Sequence, residues 1–280
     1  MIDWTSQATR VAPSPGRVDD VAMTVLSPRS ARVDLVRGSV VAVLAVVQIV
    51  VSGLGGSGVG AVANDYRTPL LAAGWTFAIW APIYAGFLAY AGYQLLPGQR
   101  GREIHRRTGW WMAASAAFNP LWILAFSGRS VLLAEVLITA LLVTLAVVFG
   151  RLSHEPAADL RERALFRGPV AIYTGWVSLA MVIGTAATGV WAGLPGANAL
   201  AAIAAVVVLL AAAAIVAWVV LSGTAVVGYA AAAVWAIAGI ALNDPPGAVV
   251  VTGAIVIVIV LAATARRITT AANPVRAAWG

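Results

Sequence analysis

An all-α integral membrane protein with eight transmembrane helices is expected from three observations. The 280 residues are 61% hydrophobic and only 10% charged, with a mean hydropathy of +0.90. A soluble domain has about 45–50% apolar and roughly 25% charged residues, so a water-soluble enzyme, a coiled coil and a disordered chain are excluded. Apolar runs then recur at lengths that cross about 30 Å of hydrocarbon, at 39–61, 71–96, 109–127, 130–150, 169–193, 198–221, 224–242 and 248–265. All eighteen basic residues are arginine, and sixteen fall in alternate connections while only Arg67 and Arg129 fall in the others. Cytoplasmic loops collect Lys and Arg. An even number of spans with both termini cytoplasmic follows, and a bacterial plasma membrane is the expected location.

Taken in order, residues 1–38 are polar, with Pro13, Pro15, Pro28 and five arginines, and are expected to be a disordered cytoplasmic tail. The first span carries Gln48 and a glycine-rich outer end. Its Gly53-Leu54-Gly55-Gly56-Ser57-Gly58 matches GxGxxG by letter, but no strand precedes it, so it is not a dinucleotide site. Gly56 and Gly60 suit close helix packing. The second span holds Pro82, which is expected to bend it. The third opens on Trp110 and Trp111 beside the arginine loop, and the fifth closes on Trp191, as interfacial aromatics do. The last three spans are mostly Ala, Val, Ile and Leu and read as scaffold packed through small side chains. The expected organisation is a five-helix unit over 39–193, a three-helix membrane extension over 194–265 and a cytoplasmic tail over 266–280.

Three spans present aromatic faces with a polar atom. Trp80, Tyr84 and Phe87 share one face of the second span. Asn119, Trp122 and Phe126 share a face of the third, and Tyr173, Trp176 and Ala180 a face of the fifth. Buried indole N–H and phenol O–H groups need partners in a dry site. The faces suit either a pocket for a flat, largely apolar ligand or plain aromatic packing. Asn119 precedes Pro120, which frees a carbonyl one turn earlier, so Asn119 is either a ligand contact or an interhelical hydrogen bond. Glu135 is the one acidic residue inside a span, where a carboxylate costs about 2.5–3.5 kcal/mol at the helix centre and less near the interface. It is a candidate proton, cation or ligand contact, or a structural anchor reaching Arg129. His105 and His154 fall in cytoplasmic loops. There is no cysteine, no HExxH and no P-loop, so disulfides, thiolate metal sites and standard catalytic constellations are not expected.

These residues resemble the translocator protein family, also called tryptophan-rich sensory proteins or peripheral-type benzodiazepine receptor homologues. Trp75-Thr-Phe-Ala-Ile-Trp80-Ala-Pro-Ile-Tyr84 is similar to the family's W-x-F-x-x-x-W-x-x-x-Y stretch. Ala117-Phe118-Asn119-Pro120-Leu121-Trp122 with Phe126-Ser127-Gly128 is similar to its A-x-N-x-x-W…F-x-G stretch. Tyr173-Thr-Gly-Trp176 with Ala180 resembles its P-Y-x-x-W-x-x-x-A stretch. The resemblance covers about 39–193. It implies a five-helix translocator-like bundle, commonly a homodimer, with a pocket for porphyrins, other tetrapyrroles or sterols beneath the loop joining the first two helices. Its implied ligand-binding residues are Trp75, Trp80, Tyr84, Asn119, Trp122, Tyr173 and Trp176. Ile172 stands in place of the motif's proline, and Gly184 in place of a later asparagine.

The expected protein is therefore not an enzyme and holds no cofactor or metal. It is a membrane sensor or carrier for a flat apolar ligand such as a tetrapyrrole or isoprenoid lipid, with membrane lipids and no nucleic acid as further partners. An ion-coupled secondary transporter, with Glu135 and Gln48 on its path, is the alternative.

Overall fold

A computed structural model describes residues 28–280. Among them every regular element is helical. Helix α1 covers Pro28–Asp65, and a 3-10 turn at Gly74–Ile79 runs straight into α2, Trp80–Leu95. Then come α3, Glu103–Ser127; α4, Val131–His154; and α5, Leu160–Trp191, which contains a π-helical turn at Arg163–Arg167. Helices α6, Ala199–Ser222, α7, Val226–Ala241, and α8, Gly247–Thr270, precede a short α9, Pro274–Trp279. Side chains supply several helix starts: Asp159 accepts from the Glu162 N–H at 2.7 Å, Asn198 from Ala201 at 2.9 Å and Asn273 from Arg276 at 2.9 Å.

Polarity is distributed as lipid demands. Val43, Val46 and Val50 of α1 and Ile203 and Val207 of α6 face outward, while Gln48, Ser115, Asn119 and Thr174 are buried between helices. Five helices are long and apolar enough to cross a membrane: α1 (as Ala31–Asp65), α4, α5, α6 and α8. Helices α2 and α7 have 16 residues each, and α3 opens with Glu103, His105, Arg106 and Arg107. Length and apolarity thus establish an all-α membrane protein but not the full count of eight.

Helix α1 packs parallel to α3 and antiparallel to α2. Gly38 lies against Leu95, Gly55 against Ile123 and Gly58 against Ser127, and the Ser127 hydroxyl donates to the Gly55 carbonyl at 2.9 Å. Helix α4 joins α3 to α5. Helix α5 then packs on α7 rather than on its chain neighbour α6, which packs on α8. Gly175 makes this possible: a Cβ there would lie 2.4 Å from the Tyr229 carbonyl oxygen of α7.

Several expectations are corrected. The chain is helical from Pro28, not from 39. Arg37 pairs with Asp34 at 2.7 Å and Arg106 with Asp34 at 2.6 Å, so the polar start of α1 is buried against α3; residues 1–27 of the expected tail lie outside the described residues. Pro82 falls in the first turn of α2, where a missing N–H is tolerated. His105, expected in a loop, is a fully buried residue of α3, packed among Tyr90, Tyr93 and Phe166. The C-terminal stretch is docked rather than trailing: Arg163 donates to the Gly280 carbonyl at 3.0 Å.

Candidate ligand-binding cavity

Three indoles from three helices meet near the Arg129 end of the bundle. The Trp80 ring at the start of α2 lies 6.2 Å from that of Trp122 in α3 and 6.1 Å from that of Trp176 in α5. Phe77 meets Trp176 edge-on at 6.0 Å, and Phe126 stacks on Trp122 at 6.0 Å. Trp122 and Phe126, like Trp176 and Ala180, are four apart and so share a helix face. The rings border a narrow cavity of about 50 Å³, to which α1 contributes Val59 and Ala63.

The connection between α1 and the 3-10 turn closes the cavity, with Tyr66, Thr68 and Leu71 on its wall. Helix α7 and the turn after it hold this cover. The Asn243 side-chain amide donates to the Leu71 carbonyl at 3.0 Å, Ala73 N–H donates to the Gly239 carbonyl at 3.0 Å, and the Trp235 indole donates to the Thr76 carbonyl at 2.9 Å.

Glu135 of α4 also lines the cavity. The Thr185 hydroxyl of α5 donates to its carboxylate. Gly184 leaves the space the carboxylate occupies; a Cβ there would lie 3.1 Å from Glu135 Oε2. Among the described residues Glu135 enters no ion pair.

One turn deeper lies a buried polar layer. The Tyr84 hydroxyl donates to Asn119 Oδ1 at 3.1 Å. The Tyr84 ring stacks on Trp80 at 5.4 Å, and Tyr173 meets Trp80 edge-on at 5.9 Å. Asn119 Nδ2, the Tyr173 hydroxyl and Trp176 Nε1 are buried without a partner among the described residues, as are both amide atoms of Gln48 elsewhere, in α1. Each such group costs about 1–3 kcal/mol until a partner satisfies it, so the layer is rich in unused hydrogen-bonding capacity.

A family model described as TSPO-like protein matches residues 35–266. The chain belongs to the TSPO-like protein family. No curated protein and no solved structure matches it. The family match runs from α1 into α8, so it takes in the helices that hold the cover as well as those that carry the three motifs. Family and apolar helices together make this TSPO-like protein an integral membrane protein.

The sequence-derived residues separate into three groups in this TSPO-like protein. Trp80, Trp122, Trp176 and Glu135 line the cavity. Tyr84, Asn119 and Tyr173 form the layer beneath, in contact with Trp80 or with each other. Trp75 is not part of either: it is 45% exposed and packs edge-on against Trp235 at 4.8 Å. It sits in the 3-10 turn, before α2 begins, so it does not share the face of Trp80 and Tyr84. Arg129 does not reach Glu135; it holds a left-handed conformation with φ 63° and pairs with Asp65 at 2.6 Å. Sequence reasoning missed Trp235, Asn243 and the wall residues Tyr66 and Thr68. Trp235 and Asn243 were legible only as polar-tipped residues in or beside an otherwise apolar span, each needing a partner.

Proposed function

We propose that this protein is a membrane-embedded binding protein, a sensor or carrier, that holds a flat, largely apolar ligand between Trp80, Trp122 and Trp176 beneath the 66–73 cover. The observation that carries this is the meeting of three indoles from three helices at one narrow cavity whose walls are apolar with few polar groups, the lining that small-molecule sites share. The family supports ligand binding or sensing in a membrane. Binding rather than catalysis suits the lining, which offers one carboxylate and no histidine, serine or lysine. Among the described residues no arginine borders the cavity either, so the carboxylates of a porphyrin would lack a counter-ion from them there. An uncharged or positively charged ring system suits the walls better.

In the membrane we read helices α1 to α8 all as spans, with both termini cytoplasmic. The short α2 is lengthened by its 3-10 turn, and α7 is embedded between α5 and α8. Contacts among the cytoplasmic-side arginines support this: Arg102 pairs with Glu162, Arg107 with Glu155, and Arg276 reaches the Ser153 and His154 carbonyls, all at one end.

The test is native mass spectrometry of protein purified from its own membrane, beside the Ala180→Trp variant, which fills the cavity. A small-molecule adduct on the wild type that Ala180→Trp loses is the expected result. Equal adducts on both would overturn the assignment of the site.

A further inference from the structure

Resting on that reading of the cavity, we propose that its ligand class is a hydrophobic organic cation, with Glu135 as counter-ion and Trp80, Trp122 and Trp176 as its aromatic walls. The starting point is an imbalance. Ionisable groups within membrane segments pair with one another, with backbone groups or with a functional partner. Among the described residues Glu135 has a threonine hydroxyl but no cation: Arg129, the nearest basic residue in sequence on its side of α4, is bound to Asp65, and no described basic residue borders the cavity.

The walls indicate what kind of charge would complete the site. Indole faces attract cations through the ring quadrupole, by about 0.5–2 kcal/mol, more when water is excluded. Tyr66, Phe77 and Phe126 add further aromatic wall. A hard metal ion is poorly served, because Ca²⁺ or Mg²⁺ needs about six or more oxygen ligands and no cluster of three or more metal-binding side chains occurs among the described residues. A delocalised or alkylated ammonium asks for little else: one carboxylate at the rim and π faces around it. The carboxylate is delivered from α4 across Gly184 of α5, whose missing side chain opens the path.

The experiment compares two fluorescent probes of one shape in lipid nanodiscs, with empty discs subtracted. These are 10-methylacridinium, a flat cation, and 9-methylanthracene, its neutral counterpart; binding is read by energy transfer from tryptophan. The cation is expected to bind at least about tenfold more tightly, equal to about 1.4 kcal/mol, and E135Q to reduce that ratio below about threefold. Glutamine keeps the bond to Thr185 and differs chiefly in charge; circular dichroism and thermal unfolding confirm that the variant is folded. Thr185→Val, which leaves the charge but frees its orientation, should keep the preference for the cation. Should both probes bind equally and be blocked by Ala180→Trp, the cavity reading stands and the cation inference falls. Insensitivity of both probes to Ala180→Trp overturns both. A cation preference that survives E135Q also refutes the role given to Glu135.

Discussion

Glu162 is expected to be the most sensitive charged residue of the described chain, and the structure sets the magnitude. Its side chain is 1% exposed and holds two arginines: Arg167 at 2.7 Å, itself 1% exposed, and Arg102 at 2.6 Å, 29% exposed. Arg167 also donates to the Leu152 carbonyl at 2.5 Å and the Glu155 carbonyl at 2.7 Å, which ties the end of α4 to the π turn of α5. Glu162→Gln leaves the buried Arg167 guanidinium without its carboxylate, a change that costs about 3–5 kcal/mol. Arg102→Gln removes the more exposed partner while Glu162 keeps Arg167, so its cost is about 0–1 kcal/mol. The double variant Glu162→Leu/Arg167→Leu removes both buried charges, and should be less destabilised than the sum of its single changes. Unfolding by SDS titration in mixed micelles, followed by circular dichroism, measures these variants beside the single changes Glu162→Leu and Arg167→Leu. Equal costs for Glu162→Gln and Arg102→Gln, or strict additivity in the double variant, would refute the reasoning that burial decides which partner matters.

Gly175→Ala should lower stability by about 1–3 kcal/mol, because its Cβ would meet the backbone of Tyr229, which no rotamer change can move. Gly150→Ala, with nothing within 4 Å of the added Cβ, should be neutral or stabilising through helix propensity; thermal unfolding of the two in the same detergent compares them. The chain has no cysteine, so topology is testable by single replacements. Asn64→Cys should react with an impermeant maleimide from outside intact cells and Gly98→Cys only after lysis, and labelling from one side in both would sink the eight-span arrangement.

The cavity shows how far sequence periodicity reaches. Helical spacing within one span is set by local geometry at 3.6 residues per turn, so the pairs Trp122–Phe126 and Trp176–Ala180 were legible as shared faces. Trp75 was not legible in that way. The motif places it five residues before Trp80, but the chain there is a 3-10 turn, whose tighter winding and contact with Trp235 depend on α7, more than a hundred residues away. Glu135 stood out in the sequence as a charge inside a span. Its partner did not, because Thr185 and the gap at Gly184 belong to another helix.

Composition and charge distribution determined the solvent, the helical class and the approximate helix limits, because apolar length and arginine placement act on each segment separately. Tertiary structure decided what no single segment contains. It chose α7 rather than α6 as the neighbour of α5, since Gly175 offers a backbone-depth contact there. It brought Trp235, Gly239 and Asn243 to the 66–79 stretch, so helices with an ordinary scaffold composition hold the cover of the cavity. It also left the carboxylate of Glu135 without a cation among the described residues, because the arginine six residues away in sequence is directed by its left-handed turn toward Asp65. A helix's pattern specifies which of its faces is buried, and the identity of what meets that face depends on packing between segments far apart in the chain.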